Sequence, residues 1–279
     1  MERYVTNATK LLALPFLFFV AFFLVPLGVV FVSSLLSSDS LSFSLINYTQ
    51  ILLDQYHWEI IYTTFRIGII TTIICLLLGY PLAWYLVRVV RSKMWMRICI
   101  IILVVPLFTS NIVRSFGWMI MLGRNGLVND VLQFAHLTDH PIRLLGTETG
   151  ILIGLVYILL PFAVLSIGTA LSRIDLSLEN ASSDLGASSL STFFFVTLPL
   201  TLPGVAAGGV MVFALTVSAY VTPAVLSGGK LTVLPMLIYQ QYSTVFNFNF
   251  GGALSIVLLV LTLALVAIAN HIGRSKAEG

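Results

Sequence analysis

Thr149 to Leu171 reads TGILIGLVYILLPFAVLSIGTAL, an apolar run without a charged side chain, followed two residues later by Arg173. A helix crossing ~30 Å of hydrocarbon needs about 20 such residues. Working outward in both directions, residues 11–35, 60–88, 98–122, 203–226 and 251–272 qualify in the same way. Composition agrees: 58% of the 279 residues are apolar and 9% are charged, against roughly 25% charged in a soluble domain. A chain so poor in polar surface takes the lipid bilayer as its outer solvent. The expected fold is therefore an all-α membrane protein of six transmembrane helices, with residues 1–279 forming a single transmembrane domain. The first stretch is too long for a signal-peptide core and lacks a small-residue cleavage site, so it is expected to remain as a helix.

Lysine and arginine set the orientation, because positive loops stay on the cytoplasmic side. With both termini inside, the inner set holds Arg3, Lys10, Arg88, Arg91, Lys93, Arg97, Arg173, Arg274 and Lys276, and the outer set only Arg124, Arg143 and Lys230. The outer segments also carry Asp39, Asp54, Glu59, Asp130, Asp139 and Glu148, so carboxylates outnumber bases there. That is compatible with a cationic solute and equally with ordinary loop solvation. Proline and glycine interrupt several spans, at Gly79-Tyr80-Pro81, Val105-Pro106, Leu160-Pro161 and Thr222-Pro223. Each proline removes a backbone donor, which a bundle tolerates where neighbouring helices or a wet cavity serve the freed carbonyls.

Several function classes fall away on the same residues. The net charge is only +3 and the bases are dispersed, which excludes nucleic acid as a partner. Cys75 and Cys99 lie in or beside apolar stretches without CxxC spacing and read as buried thiols. His57, His136, His140 and His271 have no metal-ligand spacing, and no nucleophile–base pair emerges. Gly229-Lys230 is followed by Leu231 and lacks the upstream glycine of a phosphate loop, so this chain is expected to bind no nucleotide and catalyse nothing.

The chemistry is concentrated in the long inner loop at 173–202, between the fourth and fifth spans. Ser177-Leu178-Glu179-Asn180-Ala181-Ser182-Ser183-Asp184-Leu185-Gly186-Ala187-Ser188 predicts a short amphipathic helix, with Glu179 toward its positive end and Gly186 ending or bending it. Further on comes Val196-Thr197-Leu198-Pro199. This loop resembles the EAA loop of ABC importer permeases, in which a glycine follows the first glutamate by six positions and an isoleucine-x-leucine-proline segment closes the motif. Gly186, Leu198 and Pro199 match in register, with Val196 in place of isoleucine. Asn180, Ala181 and Ser182 fall on the EAA triplet, so the carboxylate sits one residue early, at Glu179. The resemblance implies a coupling helix contacting an ATPase subunit through Glu179, Asn180, Ala181, Ser182, Asp184, Gly186, Ala187, Leu198 and Pro199.

A second resemblance, to spermidine/putrescine-type permeases, covers nearly the whole chain. It rests on Asn47-Tyr48-Thr49, Leu78-Gly79-Tyr80-Pro81-Leu82-Ala83-Trp84, Pro106 through Arg114, and Gly154-Leu155-Val156-Tyr157-Ile158-Leu159-Leu160-Pro161-Phe162. It implies the type I importer permease fold, a homologous second permease subunit, and two ATPase subunits that hold ATP and Mg. It also implies an external solute-binding protein and a bacterial inner-membrane location.

Arg114 costs roughly 2.5 to 3.5 kcal/mol in mid-bilayer on insertion scales, so it must face protein or water. Ser110 and Asn111 share its helical face, giving a polar stripe that either lines the pathway or ties structure together. Arg66, nearer a helix end, is expected to snorkel. In the fifth span Ser218, Tyr220 and Thr222, with Thr216, are pathway candidates, although helix packing by small residues explains Ser218 and Thr222 as well. Polyamine-type relatives often carry an acid near this point, where this chain has Ala219-Tyr220. The expected cargo is a polyamine or related amino-containing solute, with an opine or amino-acid derivative as the alternative. A stand-alone secondary transporter or channel would show an intramembrane acid as its ion site, and a membrane-embedded enzyme would show clustered carboxylates or histidines.

Overall fold

Helices dominate because a peptide group in hydrocarbon has no water to bond and must satisfy itself along the helix axis. The computed structural model describes residues 14–37 and 42–275. The expectations for Arg3, Lys10, Asp39, Lys276 and the first residues of the first span lie outside these described residues. In chain order the helices are α1 (Leu14–Ser34), α2 (Ile46–Leu53), α3 (Gln55–Val89), α4 (Lys93–Phe108), α5 (Asn111–Met121), α6 (Leu127–Phe134) and α7 (Glu148–Ser172). They continue as α8 (Leu176–Asp184), α9 (Ser189–Val217), α10 (Val221–Leu226), α11 (Leu234–Gln240) and α12 (Phe248–Ser275). Among the described residues the only β feature is an isolated antiparallel bridge, Leu36–Phe43. Among the described residues, helices α1, α3, α7, α9 and α12 are each long and apolar enough to cross a membrane, and the bent pair α4–α5 adds a sixth when counted as one broken span.

Two spans depart from the expected boundaries. The stretch 98–122 is not one helix: Pro106 sits in a 3-10 turn at Val105–Phe108, Thr109 and Ser110 are extended, and α5 leaves at 100° to α4. Hydropathy averages across this break and cannot see it. The fifth span was expected at 203–226, but α9 begins at Ser189 and ends at Val217. Within α9, Pro199 follows a π-helical turn at Phe193–Thr197, which already interrupts the regular hydrogen-bond ladder. At the other end α9 stops at Val217, and after Ser218–Tyr220 the chain restarts as the separate α10, which holds Pro223 in its first turn, where a backbone donor would have no intrahelical partner.

The chain divides into two compact units. One joins the described residues up to Glu59 with Leu237–Leu261. Here Ser34 Oγ bonds Tyr48 OH at 2.7 Å, and the buried Asn47 amide donates to Ser34 O and Leu36 O at 3.1 and 2.9 Å, closing the turn after α1. Gly252 lies against α1, where an added Cβ would come within 3.1 Å of Val30 O. The rest of α1 exposes Phe16, Leu17, Phe18, Phe22 and Phe23, a surface suited to lipid or to another apolar chain.

The second unit joins Ile60–Met236 with the residues from Thr262. Its axis is α7, the most buried of the long apolar helices. Three apolar clusters succeed one another along α3 and α7: Ile67 with Ile151 and Leu155, Cys75 with Ile158 and Ala163, and Ala83 with Val164, Ile167 and Leu171. Small residues bring α9 against α7. Ser166 Oγ donates to Gly204 O at 2.9 Å, and a Cβ on Gly204 would stand 2.2 Å from that of Ala170. Gly204→Val should therefore force α7 and α9 apart at a cost of about 1–3 kcal/mol. The check is a lowered thermal unfolding midpoint in detergent.

Candidate functional site

At one end of the second unit the chain leaves α7 through Arg173 and Ile174 and starts α8 at Asp175. The Asp175 side chain accepts from Ser177 N at 2.9 Å, a helix N-cap. Both the Ser177 N–H and its side chain hold the exposed Asp175 carboxyl below its ordinary value. Helix α8 stops at Asp184, and Gly186 takes φ +87° with open space around the position of a Cβ. Gly186 N donates to Ser183 O and Ala187 N to Ser182 O, at 2.9 and 3.1 Å, closing the helix end. The short helix and glycine turn expected from sequence are thus both present.

The Glu179 carboxylate faces the bundle: Arg88 Nη2, at the end of α3, donates to Glu179 Oε1 at 2.8 Å. Thr197 Oγ1 donates to the same oxygen at 3.2 Å, and Arg88 Nη2 also reaches Ile174 O at 3.4 Å. The two charged side chains are only 10% and 20% exposed. Ser182 Oγ bonds Thr192 Oγ1 at 3.0 Å, so it too faces the protein. Asn180, Ala181, Ser183, Asp184 and Gly186 are exposed, Ala187 is half-buried, and Leu185 is 90% exposed. Of the closing segment, Leu198 is half-buried and Pro199 exposed in the first turns of α9. Beside this end, Tyr80 OH bonds the buried Thr201 Oγ1 at 2.9 Å. A groove of about 900 Å³ opens between α7 and α9, lined by Phe162, Ser166, Thr169, Arg173, Gly204 and Met211 among others.

The remaining candidates gather at the two helix breaks. Ser110 caps α5 by accepting from Ile112 N at 3.3 Å, and Asn111 Oδ1 accepts from Arg114. Arg114 Nε and Nη1 are buried and meet no acceptor among the described residues. Ser218 caps α9 and donates back to Ala214 O at 2.9 Å. Tyr220 is half-buried at the start of α10. Thr222 is buried, and its hydroxyl lies 3.1 Å from that of Ser115 on α5. This places Thr222 in a helix–helix tie instead of on an open surface, because α10 folds onto α5. The helices that follow the two breaks therefore pack on one another.

Arg66 reaches toward the helix end, as its place in the sequence suggested. It forms an ion pair with Glu148 in the first turn of α7, with its Nε 3.2 Å from Glu148 Oε1, and stands 5.4 Å from the Tyr62 ring centre. Neither the Arg66–Glu148 nor the Arg88–Glu179 pairing has a local signal, since 82 and 91 residues separate the partners.

The profile of a family described as "Binding-protein-dependent transport system inner membrane component" matches residues 75–276. The chain belongs to that family. It is 34% identical over 247 residues, 87% of its length, to the spermidine/putrescine transport system permease protein PotB of Escherichia coli (strain K12), of which 89% is covered. To the protein of the same description from Haemophilus influenzae it is 32% identical over 274 residues, 95% of each chain. In three dimensions it matches a chain of a bacterial alginate ABC transporter in complex with an alginate pentasaccharide-bound periplasmic protein. The TM-score is 0.79, identity 17%, and coverage 99% and 96%. That likeness establishes the ABC importer permease fold. This member of the family is a multi-pass inner-membrane protein and a permease subunit of an importer.

Two local outcomes follow. Gly186→Val should expose amides of residues 185–188 to faster hydrogen exchange, because a β-branched residue disfavours φ +87°, while Gly186→Asn should disturb them less. For Asp175 the folded-state carboxyl titrates lower than the unfolded one, so its stabilisation of α8 is present above the usual carboxylate range. That stabilisation is lost as pH falls through the depressed value. Asp175→Ala should remove it at neutral pH, read as faster exchange of the Ser177 amide.

Proposed function

We propose that this chain forms half of the translocation pathway of an ATP-driven importer for a polyamine or related small amino-containing solute. The observation that carries the reading is the identity to spermidine/putrescine permeases over most of both chains. The partners are a homologous second permease, two ATPase subunits that bind ATP and Mg, and an external binding protein that delivers the solute. Both termini and α8 face the cytoplasm, in keeping with the excess of lysine and arginine on that side. The solute crosses unchanged, and this subunit contributes no catalytic residue.

In this reading the exposed face of α8, with Asn180, Ser183, Asp184 and Leu185, docks on an ATPase subunit. Closure of the ATPase pair on ATP moves α8 and, through it, the membrane helices. The pathway runs beside the contact of α5 with α10, where Ser110, Asn111, Arg114, Ser218 and Tyr220 lie at broken backbone. Discontinuous helices are where transporters place solute and ion sites, since the freed backbone groups and polar side chains there need a wet or polar partner.

Reconstitution of all subunits in liposomes with the binding protein should give spermidine or putrescine uptake only with ATP present. The isolated chain should hydrolyse no ATP. Uptake of an amino-acid derivative but no polyamine would retain the importer and replace the cargo. ATP-independent uptake by the chain alone would refute the importer.

A further inference from the structure

We propose that Arg88 and Glu179 form the joint that ties the coupling helix α8 to the membrane helices, Glu179 being a positioning residue that points into the protein and not a contact of the ATPase. The proposal rests on the reading above that α8 docks on an ATPase subunit, and deepens it by naming what carries the force onward.

Apolar packing does not hold α8 in place. It buries none of its residues, and Leu176, Leu178 and Leu185 are all exposed. What fixes its position is polar: the Ser182–Thr192 hydroxyl contact with α9 and, reaching two helices at once, a set of bonds around one carboxylate. Glu179 Oε1 takes the Arg88 guanidinium from one side and the Thr197 hydroxyl from the other. Arg88 lies in the π-helical turn Tyr85–Val89 that ends α3, and Thr197 in the π-helical turn Phe193–Thr197 inside α9. One carboxylate on α8 is therefore bonded to two separate spanning helices. Because both charges are largely shielded from water, the attraction is weakly screened and strongly directional. A shift of α8 either drags the ends of α3 and α9 with it or leaves Arg88 and Glu179 shielded without partners, which is costly.

The register of the loop supports the same assignment. Asn180, on the motif position of the family glutamate, is exposed, whereas Glu179 one residue earlier is turned inward. Successive helical residues point about 100° apart, so a single residue decides whether a carboxylate serves the docking face or the joint. Here the docking face presents an amide, and the charge belongs to the joint.

The test uses the complete transporter in liposomes, reading solute taken up per ATP hydrolysed for the wild type, Arg88→Met, Glu179→Gln and the double variant. Each single substitution should lower the ratio by about fivefold or more, the range of a typical coupling energy. The double should be no worse than the worse single, since both act through one interaction. Arg88→Lys, which keeps the charge but not the planar fork, should fall between. Should Arg88→Met fail to assemble, Thr197→Val decides the matter, because it removes one hydroxyl and leaves the ion pair: a lowered ratio supports the joint. Wild-type ratios in Thr197→Val and the assembled single variants, or losses that multiply in the double variant, would overturn the proposal alone. A wild-type complex without ATP-driven uptake would overturn the importer reading and the joint with it.

Discussion

In hydrocarbon a peptide N–H or C=O has no solvent to fall back on, and an unpaired one costs several kcal/mol, roughly the size of a whole helix cap or more. Long helices such as α7 meet most of this constraint on their own, apart from the donor that Pro161 removes. Wherever the chain must turn within or beside the membrane, side chains have to take over the work of the missing ladder. Ser110 at the start of α5, Ser218 at the end of α9 and Thr147 at the start of α7 each stand at such a point. Thr64 does so between elements: its hydroxyl accepts from Leu234 N at 2.8 Å, where α11 begins. The polar residues of this apolar chain are therefore placed mainly by the interruptions of its helices.

Charged groups follow the same rule at greater cost. Arg66 and Arg88 sit on one helix, α3, and each is answered by a carboxylate brought in by a distant element: Glu148 at the start of α7, and Glu179 in α8. These pairs do not stabilise the protein as a hydrophobic contact would, since desolvation offsets most of the attraction. Their value lies in direction. An ion pair holds two elements at one register, whereas apolar surfaces slide, and the Arg88–Glu179 pair sets the register of α8 against α3.

Much of this was legible in the residues. Hydrophobic runs gave the spans at 60–88, 149–171 and 251–272 closely, because nothing interrupts the hydropathy there. The Gly186 turn was readable from one glycine at the end of an amphipathic segment. The 100° break after Pro106 was not, since a proline alone does not distinguish a kink from a break, and the extended backbone at Thr109 and Ser110 depends on where α5 packs. For Thr222 the residues left a pathway role and helix packing both open, and the fold sets it against Ser115. The inward turn of Glu179 was hidden for a similar reason: its partner Arg88 reads in sequence as a topology-setting positive charge, and only the folded chain brings the two together. Asn47-Tyr48, noted first as part of a resemblance, acquires a physical role in closing the turn after α1.

The central claim is that α8 presents Asn180 and Leu185 outward to an ATPase while Glu179 secures it from behind. Site-directed cross-linking in native membranes tests this most directly, with single cysteines introduced in a chain lacking Cys75 and Cys99 and co-expressed with its transporter partners. Cysteines at Asn180, Ser183 and Leu185 should cross-link to the ATPase subunit, and one at the exposed Lys230, in the segment after α10, should not. Cross-linking from Lys230 together with none from the positions of α8 and its end would contradict the account.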